Sequence, residues 1–312
     1  MNKISVVIPL YKCSHAINEL SRRLINTLSS ISEDFEIIFV NDASPENDWE
    51  IVVELSKKDK RIKGINFSRN FGQHHAITAG LDYAKGKWVV VMDGDLQDQP
   101  EEILRFYNKI LEGYDIVLGK RIDRKDSYLK KALSKWFYKL FSYLAETDFD
   151  SKIGTFRIMS KKVVESYRLL NEKIMFFGAM INWLGFRVET IEISHRERTA
   201  GNSTYSLRKR MHLAINGILS FSDRLLRITI KTGVILSIIT FLFILLKVFQ
   251  NLLYGTSVMG WSSLIAAIGF STGLIITVIG IVGLYVGSIF KEVKKRPNYI
   301  CMEVLNLEAN KN

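Results

Sequence analysis

The stretch Val89-Val90-Val91-Met92-Asp93-Gly94-Asp95-Leu96-Gln97-Asp98 indicates the fold of the N-terminal half of this chain. An apolar run long enough for one buried strand ends in two carboxylates separated by a glycine. Ligands of open α/β sheets collect at the carboxyl ends of the strands. Carboxylates there suit a divalent cation, since Mg²⁺ is usually bound through one or two carboxylates plus substrate phosphates. A polar turn that closes the strand is the alternative, because Asp-x-Asp alone is a weak motif.

The bulk composition describes a folded protein with an anionic partner. The 312 residues are 47% hydrophobic and 24% charged, which excludes a disordered chain and leaves room for one large domain or two smaller ones. The net charge of +11 predicts binding to nucleic acid, anionic lipid or a phosphorylated substrate. Cys13 and Cys301 lie at opposite ends of the chain, which argues against a disulfide framework and agrees with a reducing compartment. The apolar run before Pro9 is too short for a signal peptide and predicts a first strand.

The composition changes sharply near Ile228. Residues 232–246 and 248–290 carry no charge, and a bilayer core needs about 20 apolar residues per helix. We therefore expect two transmembrane helices, at about 228–250 and 261–290, joined by a short loop. A buried helical hairpin in a soluble protein is the alternative, and the length of the uncharged run argues against it.

Basic residues flank the two expected spans and are absent from the loop between them. They are Arg224, Arg227, Lys231, Lys291, Lys294, Lys295 and Arg296. The positive-inside rule then places both termini in the cytoplasm, so a multi-pass protein of the inner or plasma membrane is expected. The predicted organisation is a cytoplasmic domain at 1–205, a juxtamembrane amphipathic segment at 206–227, the hairpin at 228–290 and a cytoplasmic basic tail at 291–312.

The N-terminal domain alternates between strand and helix patterns. Strands are expected near Ser5–Pro9, Glu36–Asn41, Ile62–Phe67, Trp88–Met92 and Asp115–Leu118. Helices are expected near Ala16–Ser30, Trp49–Lys58, His74–Ala84, Glu101–Glu112 and Ser127–Leu144. The strands are continuously apolar, as in a sheet covered on both faces. The fold class is therefore α/β, with a mostly parallel, doubly wound sheet flanked by helices.

A second acidic cluster lies at the same predicted edge of the sheet. Asp42 follows the second strand, as Asp93 and Asp95 follow the fourth. Asp42 could accept a hydrogen bond from a base or ribose, while Asp95 could reach a metal ion on a diphosphate. Each carboxylate alone could instead be a helix N-cap, but two such clusters at one edge favour a binding site.

Several motifs together resemble those of family 2 glycosyltransferases with the GT-A fold. They are Val6-Val7-Ile8-Pro9-Leu10-Tyr11, Phe39-Val40-Asn41-Asp42-Ala43-Ser44, Ser68-Arg69-Asn70-Phe71-Gly72-Gln73-His74, Met92-Asp93-Gly94-Asp95-Leu96-Gln97-Asp98-Gln99-Pro100-Glu101-Glu102 and Gly119-Lys120-Arg121. Within that family the chain is similar to the polyprenyl-phosphate glycosyltransferases, which include dolichyl-phosphate mannose synthase and bacterial undecaprenyl-phosphate sugar transferases. The resemblance covers nearly the whole chain, including the two spans.

The resemblance implies roles for individual residues. The nucleotide-binding set is Pro9, Leu10, Tyr11, Asp42, Arg69, Gly72, Asp93, Gly94, Asp95 and Arg198. Asp93 and Asp95 would bind Mg²⁺ or Mn²⁺, with Asp95 as the direct ligand, and Gln97 would lie near the sugar. The catalytic set is Asp93, Asp95, Gln97 and Asp150.

The acceptor side is a cluster of donors around one predicted helix start. It consists of Arg121, Arg124, Ser127, Lys130, Lys131 and Ser134, and the resemblance implies that it binds the lipid phosphate. A helix N-terminus with basic side chains is suited to anions. The following helix is basic and amphipathic and could lie in the membrane interface or pack on the sheet with a solvated lysine face. The nearby spans favour the interface.

Three positions depart from the family pattern. Cys13 stands where many relatives carry an acidic residue, and Thr204 replaces a common lysine. An aspartate that often precedes a Gly-x-Phe-Arg segment in relatives is matched here by Ser151, Lys152 or Thr155, so Asp150 could serve as a base only if the loop is shifted. A phosphate monoester is mostly dianionic at neutral pH, and we therefore treat a catalytic base as optional.

The sequence thus predicts a glycosyltransferase. It would invert the anomeric centre while moving one sugar from a nucleotide-diphosphate donor, with UDP expected, to polyprenyl phosphate. The expected partners are the donor, the lipid, the membrane and further copies of the chain in a homo-oligomer, with no nucleic acid. A processive polysaccharide synthase is one alternative, although its Gln-x-x-Arg-Trp motif and additional spans are missing. A non-catalytic basic membrane protein is another, but it would leave the acidic edge unexplained.

Overall fold

The computed structural model describes residues 3–121, 142–144, 152–170, 177–194, 222–254 and 260–307. The chain divides into two compact units. The first comprises Met1–Tyr138, Phe149–Thr204 and Arg296–Asn312, and the second comprises Lys139–Asp148 and Tyr205–Lys295.

The first unit contains one sheet with helices between its strands. In chain order, the elements are β1 (Ile4–Leu10), α1 (Ser14–Ser29), β2 (Phe35–Asn41), α2 (Asp48–Lys58), β3 (Ile62–Phe67), α3 (Gln73–Tyr83), β4 (Trp88–Val91), α4 (Glu102–Ile110), β5 (Ile116–Arg121), β6 (Ile153–Ser160), α5 (Lys161–Arg168), α6 (Phe177–Trp183), β7 (Val188–Ile193) and, after the second unit, β8 (Cys301–Leu305).

The strand order across the sheet is β7-β5-β6-β4-β1-β2-β3-β8. The neighbours β4-β1-β2-β3 and β5-β7 run parallel. The strands β6 and β8 are antiparallel to their partners. The predicted α/β fold with a mostly parallel central sheet is confirmed, and its edges are mixed.

Burial explains why these segments form the centre of the sheet. All seven residues of β1 and all seven of β2 are buried, as expected for strands covered on both faces. The helix α4 buries Ile103, Phe106 and Ile110 on one stripe, which is the spacing of an amphipathic helix. A methyl group on Gly80 of α3 would lie only 2.2 Å from Cγ1 of Val7, so this helix packs closely on the sheet.

The five predicted strands and the first four predicted helices agree with the structure to within about two residues at each end, except that β5 continues three residues beyond the predicted Leu118. The C-terminal segment differs from the expectation of a separate tail at 291–312. Residues up to Val293 belong to a long helix, and Cys301–Leu305 form β8 beside β3. This pairing satisfies the edge of β3, which would otherwise expose unpaired backbone groups.

The second unit contains two long helices, α7 (Arg224–Tyr254) and α8 (Trp261–Val293). Within them, Arg224–Phe243 and Ala267–Val293 are long and apolar enough to cross a membrane. Large apolar side chains are exposed along both helices; Phe241 is 61% exposed and Phe270 is 65% exposed. Apolar surface of this extent on a described helix pair is typical of contact with lipid or with another protein.

Candidate active site

Three adjacent strands end at the same edge of the sheet, and each is followed by a residue with a left-handed backbone. Lys12 follows β1 with φ 59°, Ala43 follows β2 with φ 48°, and Leu96 lies beyond β4 with φ 59°. Such conformations cost roughly 1–3 kcal/mol for residues other than glycine and cluster at functional sites. The carboxyl ends of β4, β1 and β2 therefore form the candidate binding site.

Asp93 and Asp95 lie at this edge, just after β4, and both are partly exposed. Gly94 between them is buried against β1. A methyl group on Gly94 would lie 2.8 Å from Cδ2 of Leu10 and 3.3 Å from the carbonyl oxygen of Pro9. Only a glycine lets the backbone approach β1 this closely, and the approach holds both carboxylates at the mouth of the sheet.

Asp93 is held by a side chain from α3. Gln73, the first residue of that helix, donates an Nε2 hydrogen bond of 2.7 Å to Oδ1 of Asp93. Burial raises the pKa of Asp93 to about 7, and the negative charges of Asp98 and Asp95 add to the shift. This excess of negative charge fits a cation, since hard divalent ions are bound by oxygen ligands.

Asp98 is a further acidic residue of the cluster, which the sequence analysis did not assign to the site. It is fully buried, and its Oδ1 lies 3.6 Å from a terminal guanidinium nitrogen of Arg121. The same guanidinium packs on Gly154, where a methyl group would lie 3.0 Å from it. Arg121 also lowers the pKa of Asp93. The structure thus places Arg121, predicted to contact the acceptor, beside the acidic edge.

Asp42 is buried, and its carboxylate accepts hydrogen bonds from the loop before α3. It accepts hydrogen bonds from the backbone N–H groups of Phe71, at 2.7 Å, and Gly72, at 2.9 Å. Burial raises the pKa of Asp42 to about 6, although these two hydrogen bonds oppose the shift. Gly72 has φ +103°, which strains other residues, and it precedes the first turn of α3. Asp42 therefore orders this loop, whatever else it contacts.

The other predicted nucleotide-side residues differ in their exposure. Leu10 is fully buried, and its carbonyl oxygen accepts the N–H of Asp42 at 3.0 Å, so its side chain belongs to the core. Pro9 is also buried, whereas Tyr11 is 37% exposed. Arg69 is exposed and lies over the ring of Phe71 at 4.5 Å. Tyr11 and Arg69 are therefore the side chains of this group that a ligand could reach.

Arg157 on β6 is a buried cation for which the sequence suggested no role. Its Nε donates to the carbonyl oxygen of Thr155 at 3.1 Å, and a terminal nitrogen donates to that of Gly154 at 2.8 Å. Its guanidinium lies 4.7 Å from the ring centre of Phe177. Burial lowers the pKa of Arg157 to about 10, while the charge of Asp93 acts in the opposite direction. The feature of the sequence that could have indicated a role for Arg157 is its charge within the apolar run of β6.

Comparison with known proteins identifies the family. Residues 5–168 match the glycosyl transferase family 2 domain. The chain belongs to glycosyl transferase family 2. The match contains the whole described acidic edge, with Asp42, Asp93, Asp95 and Asp98.

Relatives in this family resemble the chain over nearly its full length. An uncharacterized glycosyltransferase, YkcC of Bacillus subtilis, is 38% identical, and the alignment covers 97% of this chain and 94% of the relative. The SfII prophage-derived bactoprenol glucosyl transferase of Shigella flexneri is 36% identical, with 96% and 97% covered. Among solved structures, mannosyl-3-phosphoglycerate synthase from Rubrobacter xylanophilus has a TM-score of 0.51 at 13% identity, covering 72% of this chain and 74% of that one. This last likeness supports the fold alone.

Several residues predicted for the glycosyltransferase site lie outside the described residues. They are Asp150, Arg198, Arg124, Ser127, Lys130, Lys131 and Ser134. Gln97 is described; it is partly exposed, and its backbone N–H donates to Oδ1 of Asp95 at 3.2 Å. The roles of all these residues remain predictions.

No cluster of three or more acidic, histidine or cysteine ligands occurs in the described part of the chain. A pair of carboxylates nevertheless suits a cation that is completed by substrate phosphates and water, which is the common arrangement for Mg²⁺. Asp93 and Asp95 are both partly exposed at this edge. The donor set therefore fits a metal that binds together with a diphosphate.

Proposed function

We propose that this family 2 glycosyltransferase is anchored in the membrane and transfers one sugar from a nucleotide-diphosphate sugar to polyprenyl phosphate. UDP is the nucleotide expected for the donor. The observation that carries the proposal is the pair Asp93 and Asp95 held at the sheet edge by Gly94, in a chain that aligns over 96% of its length with a bactoprenol glucosyl transferase.

The donor would lie across the ends of β1, β2 and β4. Tyr11 and Arg69 are exposed there and could contact the nucleoside, while Asp42 keeps the loop before α3 in place. Asp93 and Asp95 would hold one divalent cation, Mg²⁺ or Mn²⁺, whose charge stabilises the leaving nucleoside diphosphate. The hydrogen bond from Gln73 fixes the orientation of Asp93 for this task.

The acceptor needs positioning more than activation. A phosphate monoester has a second pKa near 6 and is mostly dianionic at neutral pH. One of its oxygens would attack the anomeric carbon as the bond to the diphosphate breaks, which inverts that centre and yields a sugar-linked lipid phosphate and a nucleoside diphosphate. Holding the two reactants in line can lower the barrier by several kcal/mol. Arg121, which lies beside Asp98, would contribute to this positioning.

The membrane supplies the acceptor. The helices α7 and α8 expose apolar side chains over lengths that match a bilayer. The basic residues at the start of α7 and the end of α8 favour an orientation with both ends of the hairpin in the cytoplasm. The catalytic domain would then meet the phosphate of the lipid at the cytoplasmic surface.

The proposal is tested with membranes that contain the protein. They are incubated with undecaprenyl phosphate, Mg²⁺ or Mn²⁺ and each of a panel of radiolabelled nucleotide sugars. We expect label from one donor to enter the organic phase only when both the lipid phosphate and the protein are present. Absence of extractable label with every donor would contradict the proposal, and addition of several sugars to one carrier would support a processive synthase instead.

A further inference from the structure

The segment that follows α8 in the chain returns to the catalytic unit and becomes its edge strand. β8 pairs antiparallel with β3, with Ile65 opposite Val304 and Asn66 opposite Glu303. The register shifts between Asn66 and Phe67, just where β3 leads into the loop of residues 68–72. The C-terminal segment therefore lies beside the start of this loop.

Tyr299, two residues before β8, ties this segment to two elements of the catalytic unit. Its hydroxyl donates a hydrogen bond of 2.6 Å to Oδ2 of Asp82 in α3. Its ring stacks on that of Phe67, the last residue of β3, with the centres 5.3 Å apart and the planes within 17°. One side chain thus joins the end of β3 to the helix that begins with Gln73.

The contacts continue from Tyr299 and Ile300 into the loop itself. The backbone N–H of Ser68 donates to the carbonyl oxygen of Ile300 at 3.0 Å. The rings of Phe67 and Phe71 pack edge to face, with their centres 5.5 Å apart. The C-terminal segment therefore contacts the start of the loop directly and reaches Phe71 through one aromatic ring.

The far end of the loop is held by Asp42, through the N–H groups of Phe71 and Gly72. Between the two attachments, Ser68, Arg69 and Asn70 are exposed. Within the loop, Nδ2 of Asn70 donates to the carbonyl oxygen of Asp42 at 3.2 Å, and Arg69 lies over the ring of Phe71. Ordering these exposed residues costs conformational entropy, and the attachments at both ends of the loop help to offset that cost.

We propose that Tyr299 and Ile300 are positioning residues that hold the loop of residues 68–72 in the conformation that binds the donor nucleotide. This inference rests on the proposed function, because it takes the loop to contact the nucleotide through Arg69. It extends the active site to a segment that lies more than 200 residues away in the sequence, just before β8 and after the predicted hairpin.

The test compares three variants of the full-length protein in detergent or lipid. Tyr299→Leu removes the stack and the hydrogen bond, and Tyr299→Phe removes only the hydroxyl. The matched control is Glu303→Gln, at a carboxylate of the same segment that accepts a hydrogen bond of 2.9 Å from Nε1 of Trp49 and does not touch the loop. Each variant is measured for thermal stability, for amide hydrogen exchange in residues 66–73, for UDP binding, and for the KM of donor and lipid acceptor.

We expect faster exchange in residues 66–73 of Tyr299→Leu and UDP binding weaker by about fivefold or more, the loss of roughly one hydrogen bond's free energy. The KM for the lipid acceptor should stay at the wild-type value. Tyr299→Phe should fall between the wild type and Tyr299→Leu, and Glu303→Gln should match the wild type.

The positioning role would be overturned by unchanged exchange in the loop of Tyr299→Leu, or by faster exchange with unchanged UDP binding. Equal losses for donor and acceptor would also overturn it, since they indicate a general structural defect. A wild-type protein that binds no UDP and transfers no sugar would overturn the proposed function itself. This outcome depends on the wild-type measurement alone, so it is distinguished from a failure of the positioning role.

Discussion

Gln73 and Asp93 are joined by a hydrogen bond of 2.7 Å between the start of α3 and the loop after β4. The bond links the two chain segments that the site depends on, the loop ordered by Asp42 and the acidic edge. Gln73 lies in the motif of residues 68–74, but the sequence alone did not indicate that it binds Asp93.

Replacing Gln73 with Leu should weaken metal activation. The variant keeps a side chain of similar size but leaves Asp93 without this donor, and a neutral hydrogen bond contributes about 1 kcal/mol. We expect the metal concentration that half-saturates sugar transfer to rise about fivefold. Titration of Mg²⁺ and Mn²⁺ checks this, with the surface variant Glu112→Gln as control. An unchanged titration would show that Gln73 does not position Asp93.

Replacing Gly94 with Ala should both destabilise the protein and reduce activity. The added methyl group would meet Cδ2 of the fully buried Leu10 at 2.8 Å, and overpacking of this kind typically costs 1–3 kcal/mol. We expect a lower Tm and slower transfer. The double variant Leu10→Ala/Gly94→Ala provides room for the methyl group and should recover part of the transfer rate. If the fold-reduction in rate of the double variant equalled the product of the fold-reductions in the two single variants, this contact would not explain the effect of Gly94→Ala.

Replacing Asp98 with Asn should release Arg121 from its buried partner. The two groups are 3.6 Å apart and the carboxylate is fully buried, so removal of one charge leaves the other uncompensated. We expect a lower Tm and a higher KM for the lipid acceptor, with donor binding less affected. Enzyme assays with each substrate varied separately test this. If the KM values of both substrates stayed at wild-type levels, Arg121 would not depend on Asp98.

Asp42 should give the stability of the protein a pH dependence. Burial raises its pKa from 3.8 to about 6 in the folded protein, so the folded state binds the proton more tightly than the unfolded state. This group then contributes stability below pH about 4 that is lost as the pH rises through about 6. The Tm of the wild type minus that of Asp42→Asn should therefore fall as the pH rises over this range and become constant above pH about 7. A difference that stays constant from pH 4 to 7 would contradict the raised pKa.

The central part of the fold could be predicted because its signals are local. The strands β1, β2 and β4 are continuous apolar runs, and their polar ends mark the edge where Asp42, Asp93 and Asp95 meet. The structure explains the glycine between the two carboxylates by the close packing of Gly94 against Leu10.

The antiparallel edges of the sheet were harder to predict. β6 has Arg157 within its apolar run, β7 alternates between more and less exposed residues, and β8 is short and carries Glu303. Pairing of β8 with β3 joins residues about 240 positions apart, which no local pattern reveals. The contacts of Asp98 with Arg121 and of Tyr299 with Asp82 are likewise set by the tertiary fold.

The proposed role of the edge formed by Asp93 and Asp95 is the transfer of a single sugar to a lipid phosphate. Mass spectrometry can identify the lipid product that purified protein makes in proteoliposomes with undecaprenyl phosphate and the active donor. We predict a polyprenyl monophosphate that carries one sugar with inverted anomeric configuration, formed by the wild type and by Glu112→Gln but lost in Asp95→Asn. Full activity in Asp95→Asn, a product with several sugars, or a pyrophosphate linkage would contradict this role.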